Sequence, residues 1–224
     1  MRKYQEDRIK IIKEILPLLG DNFILKGGTA LSLYYNLDRY SEDIDLDSKS
    51  NNMNFIDRIA NYNKEWRVSI KKNIDTVFRA MVDYGATNHQ GPYPLKIEVS
   101  SRNIGMIKNK VLSYKTVNRV NVYEVADIIQ MKVATFAKRD KIRDLYDIGF
   151  LLDKYPTLFS KENLLTIYDN MGYKGLDYLS LLLQDEMDRN NLKQIDADGY
   201  VLQIYEICEK LIIKANNRGI IWGE

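Results

Sequence analysis

The sequence predicts an α+β protein, with a mixed α/β first half and an all-helical second half. Two changes along the chain support this. Through residues 1–120, short apolar or alternating runs are bounded by glycine, asparagine and proline, and read as strands with helices between them. From Tyr123 onward the apolar residues recur at helical spacing instead. No Pro/Gly-rich linker separates the halves, so the boundary falls at that change of period, giving domains 1–120 and 121–224. The helical half is expected to pack on the first and complete a cleft.

The elements follow in order. Ile9, Ile12, Leu16 and Leu19 lie at helical spacing within Tyr4–Leu19, and Gly20-Asp21-Asn22 breaks that helix. Phe23–Lys26 is a strand, Gly27-Gly28-Thr29 a turn, and Ala30–Asn36 a helix. A second strand spans about Ile44–Asp47. Asn51-Asn52 is a turn and Phe55–Lys64 a short helix. Arg67–Lys71 and Val77–Tyr84 read as a hairpin whose turn is not of the two-residue type. Gly85–Pro94, with Gly91, Pro92, Pro94 and the sole histidine His89, is a loop. In Leu95–Ser100 the apolar Leu95, Ile97 and Val99 alternate with Lys96 and Glu98, which places Glu98 on the polar face of a strand. Helices are then expected at Tyr123–Arg139, Arg143–Lys154, Lys161–Asn170, within Leu176–Arg189, and at Gly199–Ala215.

Composition excludes several classes of function. With 45% hydrophobic residues, 16 Tyr and 6 Phe, the chain has ample material for a core. No apolar run reaches the length of a membrane helix, and the first residues lack the apolar centre of a signal peptide. The single cysteine, Cys208, excludes an internal disulfide and fits a reducing cytoplasm. One histidine and one cysteine cannot build a zinc site or a histidine-based triad. A net charge of +2 is too small to announce a nucleic-acid binder. The positive residues are clustered, however: Arg102, Lys108, Lys110, Lys115 and Arg119 in one stretch, Lys132, Lys138, Arg139, Lys141 and Arg143 in another. These are either a basic rim suited to RNA or an ordinary solvated surface.

Chemistry concentrates in residues 23–47. A strand, a glycine turn and a helix leave free backbone N–H groups at a helix start, which suits phosphate oxygens. Gly27 and Gly28 let the backbone approach a pyrophosphate, and the Thr29 hydroxyl can cap the helix or donate to phosphate. Asp43 and Asp45 stand at i and i+2, so both carboxylates point to one face. Mg²⁺ is usually held by one or two carboxylates together with substrate phosphates. A phosphate cradle beside a divalent-metal clamp is the equipment of a nucleotide-using transferase.

Gly27-Gly28-Thr29-Ala30-Leu31, Arg39, Ser41 and Asp43-Ile44-Asp45, with Lys132 and the run Arg139 to Asp147, resemble the AbiEii/AbiGii nucleotidyltransferase toxins. That family sits within the polymerase-beta-like nucleotidyltransferase superfamily. The resemblance spans roughly residues 20–155. It implies a polymerase-beta-like fold, a mixed sheet with flanking helices, followed by a C-terminal helical bundle. It further implies that Asp43, Asp45 and a third carboxylate on a later strand hold Mg²⁺ or Mn²⁺. Glu98 is the candidate for the third, and for the general base, although the family more usually has Asp there.

The remaining positions leave alternatives. Arg39 and Ser41 precede the acidic pair, and Arg39 can either hold a phosphate or orient one of the aspartates. Lys132 falls in the apolar stripe Val125, Ile128, Ile129 and Phe136, so it needs an anion: either Asp144 or the triphosphate, the latter favoured by the resemblance. Asp144 matches the late acidic motif and reads as a contact to base, ribose or Lys132, or as a structural partner of Arg139. The resemblance implies transfer of NMP from an NTP to an acceptor hydroxyl, in particular the 3′ end of tRNA, by a cytoplasmic toxin held in check by an antitoxin protein. Rivals are an antibiotic-type small-molecule nucleotidyltransferase, a protein-serine phosphotransferase and an inactive nucleotide-binding module.

Overall fold

The computed structural model describes residues 2–88, 90–189 and 192–219, so His89 lies outside the described residues. The chain divides into two compact units, Met1–Asn36 with Tyr40–Glu124 and Leu37–Arg39 with Val125–Glu224.

The first unit contains α1 (Lys3–Leu19), β1 (Phe23–Lys26), α2 (Gly27–Tyr34), β2 (Ile44–Ser48), α3 (Phe55–Tyr62), β3 (Arg67–Ile74) and β4 (Val77–Asp83). It continues with β5 (Thr87–Asn88), β6 (Gly91–Pro92), β7 (Leu95–Ser100), α4 (Ile104–Lys108), β8 (Tyr114–Val117) and β9 (Val120–Tyr123). A seven-stranded mixed sheet runs β3-β4-β7-β2-β1-β9-β8. Within it β2 pairs parallel with β7, and β1 pairs parallel with β9 but antiparallel with β2.

Register sorts the side chains onto two faces. Leu25, Leu46, Val99 and Phe78 are aligned on successive strands, and all are buried. Phe23 and Phe78 each meet Phe55 of α3 edge to face, with centroids 5.1 and 5.7 Å apart. Burying a ring of this size contributes about 1.5–3 kcal/mol. The opposite face carries Lys26, Asp45, Glu98 and Arg79 in one row across β1, β2, β7 and β4. An apolar face locked to helices therefore fixes the register of a polar one.

Several local readings differ from the sequence expectation, among them the short helix α4, where none is expected. The helix after β1 starts at Gly27 with no intervening turn, so the two glycines and Thr29 form its first turn. The β3–β4 hairpin closes through only Asp75-Thr76, because β3 extends through Lys71-Lys72-Asn73 to Ile74. The loop 85–94 holds the small β5–β6 pair. The hairpin β8–β9 forms where no strand is evident in the sequence, turning on Asn118 and Arg119, both with positive φ (49° and 66°).

The second unit contains α5 (Val125–Phe136), α6 (Ile142–Lys154), a short 3₁₀ turn, α7 (Lys161–Lys174), α8 (Leu176–Asp188) and α9 (Ala197–Gly219). Ser160 caps α7, its hydroxyl accepting from the Asn163 N–H at 3.1 Å. Ile128, Phe136, Ile148, Leu151, Ile167, Met171 and Val201 form its core. Cys208 is buried there, and burial pushes its thiol up to about 12, so it acts as a small apolar side chain. Among the described residues no helix is long and apolar enough to cross a membrane. The chain is α+β, as expected, with a mixed sheet, flanking helices and C-terminal helices.

Candidate active site

The polar row of the first unit is built on β1, β2 and β7. The junction of β1 with α2 is tight: Gly27 has φ +73°, and a β-carbon there would stand 3.2 Å from Asp45 Oδ2. The backbone is thus left-handed and pressed against a carboxylate, which only glycine permits easily. The first N–H groups of α2 have no acceptor within the helix.

Asp43 lies one residue before β2, and Asp45 is the second residue of that strand. Asp45 is half-buried and level with Lys26 on one side and Glu98 on the other. Among the described residues it makes no hydrogen bond or ion pair. Its neighbours differ. Asp43 pairs with Lys96 Nζ at 2.7 Å, and Glu98 accepts from Arg79 Nε and Nη2 at 2.8 and 2.6 Å. Burial raises the Asp43 carboxyl above its ordinary range, and the Asp45 and Glu42 charges add to the rise against the pull of Lys96.

The expected convergence of three carboxylates does not exist ready-made. Among the described residues no three His, Cys, Asp or Glu side chains are gathered closely enough to hold a metal ion. Thr29 and Ser41, expected at the nucleotide, are also engaged internally. Thr29 is buried, its hydroxyl donates to the Asp43 carbonyl, and it lies 2.8 Å from the Ser41 hydroxyl. Asp47, the third acid on this face, is fully buried among Lys26 Nζ (2.5 Å), Asn103 Nδ2 (2.7 Å) and the Tyr123 hydroxyl (2.9 Å). It is a structural anchor beneath the row.

The second unit holds a separate charged cluster. Arg39 grips Asp147 with two parallel bonds, Nε to Oδ1 at 2.5 Å and Nη2 to Oδ2 at 2.7 Å. Lys132 Nζ reaches Asp147 at 2.6 Å and Asp144 at 3.0 Å, and Arg139 Nε reaches Asp144 at 2.8 Å. Asp144 and Asp147 are buried. Burial alone would raise both carboxyls, but the cations more than offset it and hold them below the ordinary range. Lys132 thus pairs with both Asp144 and Asp147, Asp144 with both Lys132 and Arg139, and Arg39 with Asp147 of α6. Asp147 is the hub, and spacing alone does not show which carboxylate collects the cations. A cavity of about 210 Å³ in this unit is lined by Tyr146, Phe150 and Tyr200, and none of the expected site residues lines it.

The profile of the family described as nucleotidyl transferase AbiEii toxin, type IV TA system, matches residues 11–198. This chain belongs to the AbiEii family. Two solved structures are similar over nearly their whole length. JHP933 from Helicobacter pylori has a TM-score of 0.80 at 25% identity, covering 98% of this chain and 96% of its own. A protein of H. pylori proposed to be a nucleotidyltransferase has a TM-score of 0.77 at 25% identity, covering 97% and 98%. No curated protein matches. The AbiEii match takes in both charged clusters, the Gly27–Asp45 row and the Arg39–Asp147 hub.

Proposed function

We propose that this AbiEii protein is a divalent-metal-dependent nucleotidyltransferase. It moves a nucleoside monophosphate from an NTP to a hydroxyl of RNA, in particular the 3′ end of tRNA, and acts as a toxin countered by an antitoxin protein. The observation that carries this is Asp45, a half-buried carboxylate without a protein partner, beside a glycine whose missing side chain leaves it room. Such a group is poised for a cation from outside the chain.

The donor set fits Mg²⁺ or Mn²⁺. Asp43 and Asp45 supply hard carboxylate oxygens, and two of these suffice when water and phosphate complete the shell. When bound, the ion would neutralise charge on the phosphoryl oxygens. The chain does the rest. Gly27 and Gly28 offer N–H groups to the phosphates, and Thr29 fixes the Asp43 backbone with Ser41 beside it. Lys96 neutralises Asp43 until a cation arrives. Glu98, level with Asp45 on the next strand, is the carboxylate assigned to receive the acceptor's proton. Lys132 and Asp144 serve through the hub that fixes Arg39, four residues before Asp43 in the chain.

An RNA acceptor is favoured by Arg102, Lys108, Lys110, Lys115 and Arg119, all exposed on the first unit. The partly exposed Tyr114, with Lys49 Nζ 5.0 Å from its ring centre, offers a surface for base stacking. RNA-dependent release of pyrophosphate from NTPs is expected from the native protein and not from Asp45→Asn. Expression should arrest growth only with Asp45 intact. Release that survives the substitution contradicts the proposal.

A further inference from the structure

Arg8 lies on α1, just ahead of the residues 11–198 that match the family profile. It is 1% exposed, on a helix whose other buried residues include Ile12, Ile15 and Leu16. It makes no ion pair with any described carboxylate. All its partners are neutral: Nε donates to the Tyr84 hydroxyl (2.7 Å), Nη1 to the Glu42 carbonyl (3.0 Å) and Nη2 to the Tyr93 carbonyl (2.6 Å). The Tyr93 ring covers it, with its centre 3.6 Å from the guanidinium carbon. Burying a guanidinium is costly without full hydrogen bonding, and here the planar fork is used on three separate chain segments.

Two of those acceptors are backbone carbonyls just before β2 and β7. Glu42 immediately precedes Asp43, and Tyr93 lies three residues before Lys96. The Asp43–Lys96 pair at 2.7 Å joins the same two segments. Arg8 therefore ties together the segments that lead into that pair. Around it, the Tyr93 hydroxyl donates to Glu42 Oε2 at 2.8 Å, and the Tyr40 hydroxyl lies 3.2 Å from that of Tyr93. Thr29 donates to the next carbonyl, that of Asp43. Consecutive carbonyls at 42 and 43 are thus held from two different helices, which leaves Asp43 little freedom beyond its side-chain torsions.

We infer that Arg8 is a positioning residue for the Asp43 carboxylate, acting through the Glu42 carbonyl, and that α1 is thereby part of the cation site. This rests on Asp43 being a metal ligand, as proposed above. Groups that orient a ligand from outside typically affect metal affinity by about 10–100-fold. A purely structural arginine would lower stability without changing that affinity.

The test is Mn²⁺ binding to the full chain, followed by the loss of the free-ion EPR signal, with thermal unfolding measured in parallel. Arg8→Lys and Arg8→Gln are expected to weaken Mn²⁺ about tenfold or more. Tyr84→Phe removes the acceptor remote from Asp43. It is expected to lower the unfolding temperature while leaving Mn²⁺ affinity within about twofold. Arg8 variants that fold and bind Mn²⁺ within about twofold of the native protein overturn the inference. So does failure of both to fold, which would make Arg8 a folding residue. Native protein without saturable, Asp45-dependent Mn²⁺ binding overturns the proposed function itself, and is distinguished by its independence of Arg8.

Discussion

Gly27 faces Asp45 at the end of the β1–β2 pair: a β-carbon on Gly27 would lie 3.2 Å from Asp45 Oδ2 and 3.6 Å from Asp45 Cβ. At φ +73°, any side chain at Gly27 is also strained, by about 1–2 kcal/mol. Gly27→Ala should lower the urea-unfolding free energy by about that amount. It should reduce transfer activity by more, at least about tenfold, because it displaces the carboxylate next to the phosphate cradle.

Asp45 has no partner to lose. Asp45→Asn should leave unfolding free energy within about 0.5 kcal/mol of the native value, since no buried pair or cap is broken. Transfer should fall by about 10²-fold or more. Parallel urea titration and turnover measurements check the split. A large stability loss would show that Asp45 is structural.

Asp147 should behave in the opposite way. It is fully buried and bonded to both Arg39 and Lys132, so Asp147→Asn removes the charge that two cations share and leaves Lys132 only its ion pair with Asp144. A loss of about 3–5 kcal/mol is expected in urea unfolding. Asp140→Asn provides the contrast. Asp140 pairs with Lys174, but its side chain is 61% exposed, and the expected loss is below about 1 kcal/mol.

The hub also sets an acid limit. Asp144 and Asp147 have native carboxyls held below their ordinary range, so the unfolded chain binds protons first as pH falls. Their stabilisation is complete above about pH 4, the unfolded value, and declines below it toward the lower native values. Asp43 has the opposite sign. Its raised carboxyl makes the native state the better proton binder, so its contribution weakens as pH rises from about 4 through the native value. Asp43→Asn should therefore cost little stability near neutrality while abolishing transfer. Thermal unfolding from pH 3 to 7 checks both signs.

Strands β1, β2 and β7 are legible because each carries apolar residues on a face that must be buried. The hairpin β8–β9 is not. Its strands are four residues each, and its Asn118-Arg119 turn adopts the positive φ values usually signalled by Asn-Gly. β3 reads short because Lys71, Lys72 and Asn73 lie on an exposed edge strand, where no burial imposes alternation. At the site, parity identifies the face of Asp45 and Glu98 but not their partners. Lys96 and Arg79 meet Asp43 and Glu98 only because β7 sits between β2 and β4, an order set by long-range packing. Arg8 is the extreme case: its bonds reach residues 34, 76 and 85 positions away, beyond any local pattern.

The most direct measurement is transfer of label from each α-³²P NTP to total RNA, with Mg²⁺, by the native chain and by Asp45→Asn. Label is expected in an RNA species from the native chain and none from the variant. Label on protein alone, label nowhere, or equal labelling by Asp45→Asn would contradict an Asp45-dependent nucleotidyl transfer to RNA.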